Sequence, residues 1–239
     1  MVKKEKKKKI QKTEKQVESF EEALTRTEQF IEDNQKILTI IVGVIVVIVI
    51  GYTFFKKMVV LPKYKEALSQ MYIAEDYFEK DSFNLALNGD GNNLGFVDII
   101  DQYKITKAAN LAKYYAGISY LRIGQYKEAI DYLTRFHSRD LMISVVALGA
   151  TGDAWMQLGD KEKALEYYLK ASKKTKADFI TPVYLIKAGK VLENLKRYEE
   201  ALKVYNEIKD NYPESEEARN IDKFITRVQL SRELAASAK

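Results

Sequence analysis

Five positions recur in register along the second half of the chain. Gly117, Tyr120, Gly124, Tyr126 and Ala129 stand at relative positions 0, 3, 7, 9 and 12. Gly152, Trp155, Gly159, Lys161 and Ala164 repeat that spacing 35 residues later, and Gly189, Leu192, Lys196, Tyr198 and Ala201 repeat it 37 residues later again. A period of this length means that each unit is one supersecondary element, which buries its apolar face only by stacking on its neighbours. Apolar residues within each unit recur at helical spacing. With only three prolines and 11 glycines in 239 residues, the chain reads as all-α, a stack of helical hairpins.

The recurring small residues have a physical reason. A glycine inside a helix costs about 1 kcal/mol relative to alanine, so its return at Gly117, Gly152 and Gly189 needs a compensating gain. Close approach of the partner helix supplies one, and Ala129, Ala164 and Ala201 are expected to meet it from the second helix. Tyr120, Trp155 and Tyr126 are expected to fill the space between consecutive pairs. The pattern resembles the tetratricopeptide repeat, whose period is about 34 residues. The resemblance covers residues 105–213 as three units, with Pro213 where that repeat's closing proline is expected. Lys161 in place of the aromatic and Lys196 in place of the turn glycine depart from it.

Residues 60–104 read as a degenerate first unit, with Ala74, Tyr77, Phe83 and Ala86 marking a helix pair. Asn88 to Gly95, NGDGNNLG, interrupts it. A calcium-binding loop would want glycine at its sixth position and glutamate at its twelfth. Counted from Asn88 these are Asn93 and Ile99, so a structural turn is expected. Residues 214–239 are amphipathic through Ala218, Ile221, Phe224, Ile225 and Val228 and are expected to cap the open end of the stack.

Upstream of the repeats, Ile37 to Phe55 is 19 residues without a charge. As a helix it spans roughly 28 Å, close to the hydrocarbon thickness of a bilayer. A transmembrane helix over 37–55 is therefore expected. Within it Thr39, Gly43 and Gly51 share a ridge, interrupted by Val47, along which another helix could pack closely. Residues 1–36 form a basic and amphipathic tail. Eight lysines between Lys3 and Lys15 against Glu5 and Glu14 favour a cytoplasmic N-terminus and place the repeats across the membrane. The same lysines suit anionic lipid headgroups. Beyond the span acids and bases are interspersed, so nucleic-acid binding has no footprint there.

The residues for chemistry are missing. His137 is the only histidine and the chain has no cysteine, so no metal cluster can be assembled. No nucleophile stands in a recognisable setting. An enzyme is not expected, and no cofactor. Solenoids of this kind bind proteins along a groove. The groove-facing positions read as Leu111, Tyr114, Ile118 and Leu121, then Val146, Asp153 and Met156, then Ile186, Lys190 and Glu193.

A lysine-rich tail, one span and a repeat domain of this size together resemble the YfgM-type family of ancillary subunits of the SecYEG translocon. That resemblance implies a single-pass protein of the bacterial inner membrane with a periplasmic repeat domain. It further implies work beside a PpiD-like periplasmic chaperone on exported polypeptides. Two other readings stay open. One is a scaffold for a different envelope complex, in division or secretion. The other is an anchored receptor whose repeat domain faces the cytosol, which the lysines oppose.

Overall fold

The structure is a computed structural model that describes residue 30 and residues 32–237. The lysine tail and most of the proposed amphipathic stretch, residues 1–29, lie outside the described residues. The chain divides into two compact units, with the boundary between Val59 and Val60.

The first unit contains helix α1, Gln35–Phe55. No residue of α1 is buried, and the helix is long and apolar enough to cross a membrane. Its two threonine hydroxyls are satisfied within the helix itself. Thr39 Oγ1 donates to the Gln35 carbonyl at 2.7 Å and Thr53 Oγ1 to the Ile50 carbonyl at 2.9 Å. In lipid such groups have no water to bond. A π-helical turn, Lys56–Val60, follows α1 in the chain.

The second unit, Val60–Lys239, is built from hairpins. Helix α2 (Leu61–Glu79) is followed by two short helices, α3 (Phe83–Asn88) and α4 (Phe96–Gln102). Three full hairpins come next: α5 (Lys107–Arg122) with α6 (Tyr126–Arg135), α7 (Leu141–Gln157) with α8 (Lys161–Lys174), and α9 (Thr181–Asn194) with α10 (Tyr198–Asn211). A 3₁₀ turn, Ala218–Asn220, leads into α11 (Ile221–Ser237). Each full hairpin packs on itself and on the next, and α11 packs on α10 through buried Ile221, Ile225 and Val228.

Caps set the helix starts. Asp140 accepts from the backbone N–H of Met142 at 2.8 Å, opening α7, and Asp160 accepts from Lys163 N–H at 3.1 Å, opening α8. Thr106 accepts from Ala109 N–H at 3.1 Å ahead of α5. Such caps satisfy backbone donors that the first helical turn leaves free. Pro182 stands in the first turn of α9, where a missing N–H costs nothing.

The turn inside each hairpin uses one left-handed residue. Gly124 has φ 80° and Gly159 has φ 82°. At the matching places, seven residues after Gly189 and after Ala74, Lys196 has φ 58° and Asp81 has φ 55°. In the unit that begins with α2, the second helix is broken into α3 and α4 by residues 89–95. Asp90 holds this break together: its Oδ1 accepts from the N–H groups of Asn92 and Asn93 at 2.8 and 2.7 Å, and its Oδ2 accepts from the Tyr77 hydroxyl at 2.8 Å. These bonds, the Asn93 side chain first, hold the Asp90 carboxyl far below the usual carboxylate range. The loop consumes its own acid as a turn.

The hairpin interiors show why the small residues recur. A Cβ added at Gly117 would stand 2.5 Å from Leu133 Cγ, at Gly152 2.7 Å from the Tyr168 ring, and at Gly189 2.2 Å from the Tyr205 ring. Ala129, Ala164 and Ala201 have no exposed surface. Tyr120 and Trp155 pack against core clusters that extend into the neighbouring unit, and each also contacts its own hairpin. Tyr120 stacks on Tyr132 of its own hairpin, with ring centroids 5.3 Å apart. Trp155 carries Lys163 of its own hairpin over its ring at 3.9 Å. Between the α7–α8 and α9–α10 hairpins the gap is also filled by Tyr184, whose ring sits where a side chain at Gly149 would stand, 1.9 Å from an added Cβ.

Candidate functional site: a groove lined by the first helices

The first helices of the hairpins, α2, α5, α7 and α9, line a common groove. The part of it between α5 and α7 has a volume of about 810 Å³. Phe78 contributes from α2, Tyr114, Ile118, Leu121 and Arg122 from α5, and Val146, Ala150, Asp153, Met156 and Gln157 from α7. Tyr126, Tyr168 and Tyr184 complete it. Of the residues expected from sequence, Tyr114, Ile118, Leu121, Val146, Asp153 and Met156 lie here together. Lys190 and Glu193 line a separate crevice of about 420 Å³ with Asn194 and Arg227. Leu111 and Ile186 are half-buried and pack against the core of the stack. In α1, an added Cβ at Gly43 or Gly51 would meet nothing within 4 Å, so no other part of the described chain covers that ridge.

The α5 side of the groove is apolar and aromatic. Tyr114 lies 5.4 Å from Tyr115 and 5.5 Å from Phe136, centroid to centroid, and Tyr115 in turn lies 5.1 Å from Phe78. Burial pushes the hydroxyls of Tyr114 and Tyr115 above the ordinary tyrosine range. These rings are fixed by one another, so the wall is formed before anything binds.

The side formed by α7 and α9 is different, because Asp153 and Glu193, which line the groove and the crevice, are also bonded within the chain. Asp153 accepts from the Tyr168 hydroxyl at 2.7 Å and from Lys187 Nζ at 2.7 and 2.8 Å. Glu193 accepts from the Tyr205 hydroxyl, and from Arg227 at 2.9 and 2.6 Å. The two sets are alike. In each, a tyrosine of the second helix crosses over the contact glycine, Gly152 or Gly189, to reach an acid on the first helix. That acid also holds a cation 34 residues ahead, on the next first helix. Burial, then the carboxylate partner, drives both tyrosine hydroxyls far above their ordinary value. Each set ties one unit to the next and uses up its carboxylate.

Two family models match the chain, both described as tetratricopeptide repeat, over residues 114–179 and 184–215. Over those residues the chain carries tetratricopeptide repeats. No curated protein matches it at a significant level. Among solved structures it is similar to a crystal structure of nearly identical tetratricopeptide-like repeats, which carry the name of a kinesin light chain from Podosopora anserina. The sequences are 12% identical, the match covers 72% of this chain and 89% of that one, and the TM-score is 0.52. At that identity the likeness is one of fold.

Tetratricopeptide repeats are non-catalytic scaffolds, and among the described residues no three His, Cys, Asp or Glu side chains could hold a metal ion. His137 lies exposed in the loop after α6, its backbone held by Asn110 at 2.7 and 3.3 Å. The repeat register identifies first-helix positions that face the groove, but not which of them are free. Tyr168 and Tyr205 were the available signal. Each stands four residues after the recurring alanine, Ala164 or Ala201, where the preceding repeat has Leu133. An aromatic there, above a glycine, has its hydroxyl beyond the glycine and needs an acceptor.

Proposed function

We propose that this protein is a membrane-anchored docking module whose groove receives a segment of another protein. The observation that carries the reading is the apolar wall of Phe78, Tyr114, Ile118, Leu121, Val146 and Met156. A wall facing only water would carry more charge there, and apolar side chains gathered in a concavity mark an interaction site even where Arg122, Asp153 and Gln157 share the lining. Helix α1 is the anchor, the lysines before it hold the N-terminus in the cytoplasm, and residues 60–239 work on the far side. Tethering to one membrane makes a weak groove contact nearly intramolecular, so high intrinsic affinity is unnecessary.

The finer assignment is an accessory subunit of the Sec translocon in a bacterial inner membrane, acting with a prolyl-isomerase-like periplasmic chaperone on exported chains. It is supported by the order of parts: basic tail, single apolar helix, tetratricopeptide domain. The test replaces Tyr114 with Ser, Ile118 with Asn and Leu121 with Gln in one chain, checks the fold by circular dichroism, and counts Sec subunits and the chaperone recovered from gentle detergent. The variant should recover much less than the wild-type chain. Equal recovery by the folded variant removes the groove from docking. If the wild-type chain recovers no Sec component, the assignment passes to a scaffold of another envelope complex.

A further inference from the structure

We infer that the groove's partner is an extended apolar segment of about eight residues carrying a basic side chain at one end and an acidic side chain at the other. The inference rests on the groove reading and specifies what the groove selects.

One line of equivalent positions crosses the four first helices. The residue immediately after the contact position, Ala74, Gly117, Gly152 or Gly189, is Glu75 in α2, Ile118 in α5, Asp153 in α7 and Lys190 in α9. Ile118 and Asp153 line the main groove and Lys190 lines the adjoining crevice. Asp153 is neutralised by Lys187. Among the described residues Lys190 has no carboxylate partner and is exposed, with Nζ 5.5 Å from the Phe224 ring centroid. Glu75 has no cation partner there. It faces the Tyr115 hydroxyl, and burial with the nearby Glu79 raises its carboxyl above the usual range. Across the four helices the line thus reads acid, apolar, neutralised pair, free base. One turn further along, Glu79 on α2 is exposed, and Arg122 on α5 lines the main groove beside the apolar stretch with no ion pair among the described residues.

Spacing sets the length. Neighbouring packed helices lie about 8–10 Å apart, so three steps from α2 to α9 cover roughly 24–30 Å. An extended chain at about 3.3 Å per residue crosses that distance with eight or nine residues. Its middle lies on Tyr114, Ile118, Leu121 and Met156, its basic end meets Glu75 and its acidic end meets Lys190. Unpaired charge at both ends selects against segments charged alike, because one end of such a segment faces its own sign.

The test uses the full chain in nanodiscs of uncharged lipid and four labelled peptides that share one apolar centre. Their ends carry Lys and Asp, Lys and Lys, Asp and Asp, or no charge. The wild-type chain should bind the Lys/Asp peptide several-fold more tightly than the other three, the effect of one or two exposed charge pairs. Lys190→Glu, an exposed change, should move the preference to the Lys/Lys peptide. Adding Glu75→Lys to it should restore the preference for Lys/Asp, with the peptide reversed. The inference is overturned if Lys190→Glu keeps the wild-type preference, or if the uncharged peptide binds as tightly as Lys/Asp. If no peptide binds the wild-type chain, the groove reading itself fails together with the inference.

Discussion

Lys196 adopts a conformation that Gly124 and Gly159 adopt without strain. Its φ of 58° costs a side-chain-bearing residue roughly 1–2 kcal/mol, of which a glycine's extra chain entropy returns about half. Lys196→Gly is expected to stabilise the domain by up to about 1 kcal/mol, read as a higher denaturant midpoint at unchanged slope. Asp81 at the matching turn should gain less, since aspartate tolerates the left-handed region better. Gly152 points the other way. A leucine there must enter the Tyr168 ring and the Ala164 carbonyl, 2.7 and 3.3 Å from its Cβ. Overpacking costs about 1–3 kcal/mol before backbone displacement is added, so denaturant titration should show Gly152→Leu as strongly destabilised. Both sites were legible in the sequence, because a glycine that returns inside successive helices, against its low helix propensity, marks a close helix contact. Gly149 was not, since its partner, Tyr184, comes from the next unit.

At the scale of elements, hairpins are joined by tyrosine, acid and cation sets whose members lie 12, 15 and 34 residues apart. No local periodicity reveals such a set, and so the bonds made by Asp153 and Glu193 could not be read from the sequence. The break between α3 and α4 was visible as Asn88–Gly95, whereas its dependence on Asp90 and Tyr77 was not. Tyr168→Phe should cost about 1–2 kcal/mol, the size of a hydrogen bond to a carboxylate. A double-mutant cycle on Asp153 and Lys187, both about a third exposed on their side chains, should give a coupling below about 1 kcal/mol. The joints also predict an alkaline limit. Tyr184 is pushed up from 10.0 to about 12, first by burial and then by Asp153, and Tyr168 and Tyr205 are raised further. The folded state holds these protons more tightly than the unfolded chain does. The stability they contribute is complete below about pH 10 and is lost as pH rises toward about 12 and beyond. Following tyrosinate absorbance and helicity together, the hydroxyls should titrate only as the helices melt.

The chain combines an apolar helix with a stack whose first helices line a groove with an apolar wall on α5. The hairpin stack and the existence of a groove could be read from spacing alone. Which half of the groove is open could not, because that depends on ion pairs between units. The lysines before α1 make a topological prediction: proteinase added to spheroplasts should digest residues beyond about 60 and spare the tail. Survival of the domain until the inner membrane is opened would reverse the orientation. The central claim is that partners dock on the α5 and α7 wall of the groove. A photo-crosslinking side chain at Ile118, in that wall, is compared in native membranes with one at Glu166, exposed on the second helix α8. Discrete protein adducts from position 118, and none of them from position 166, are the predicted result. Adducts from 166 that equal those from 118, or none from 118 in a chain that remains folded, would contradict it.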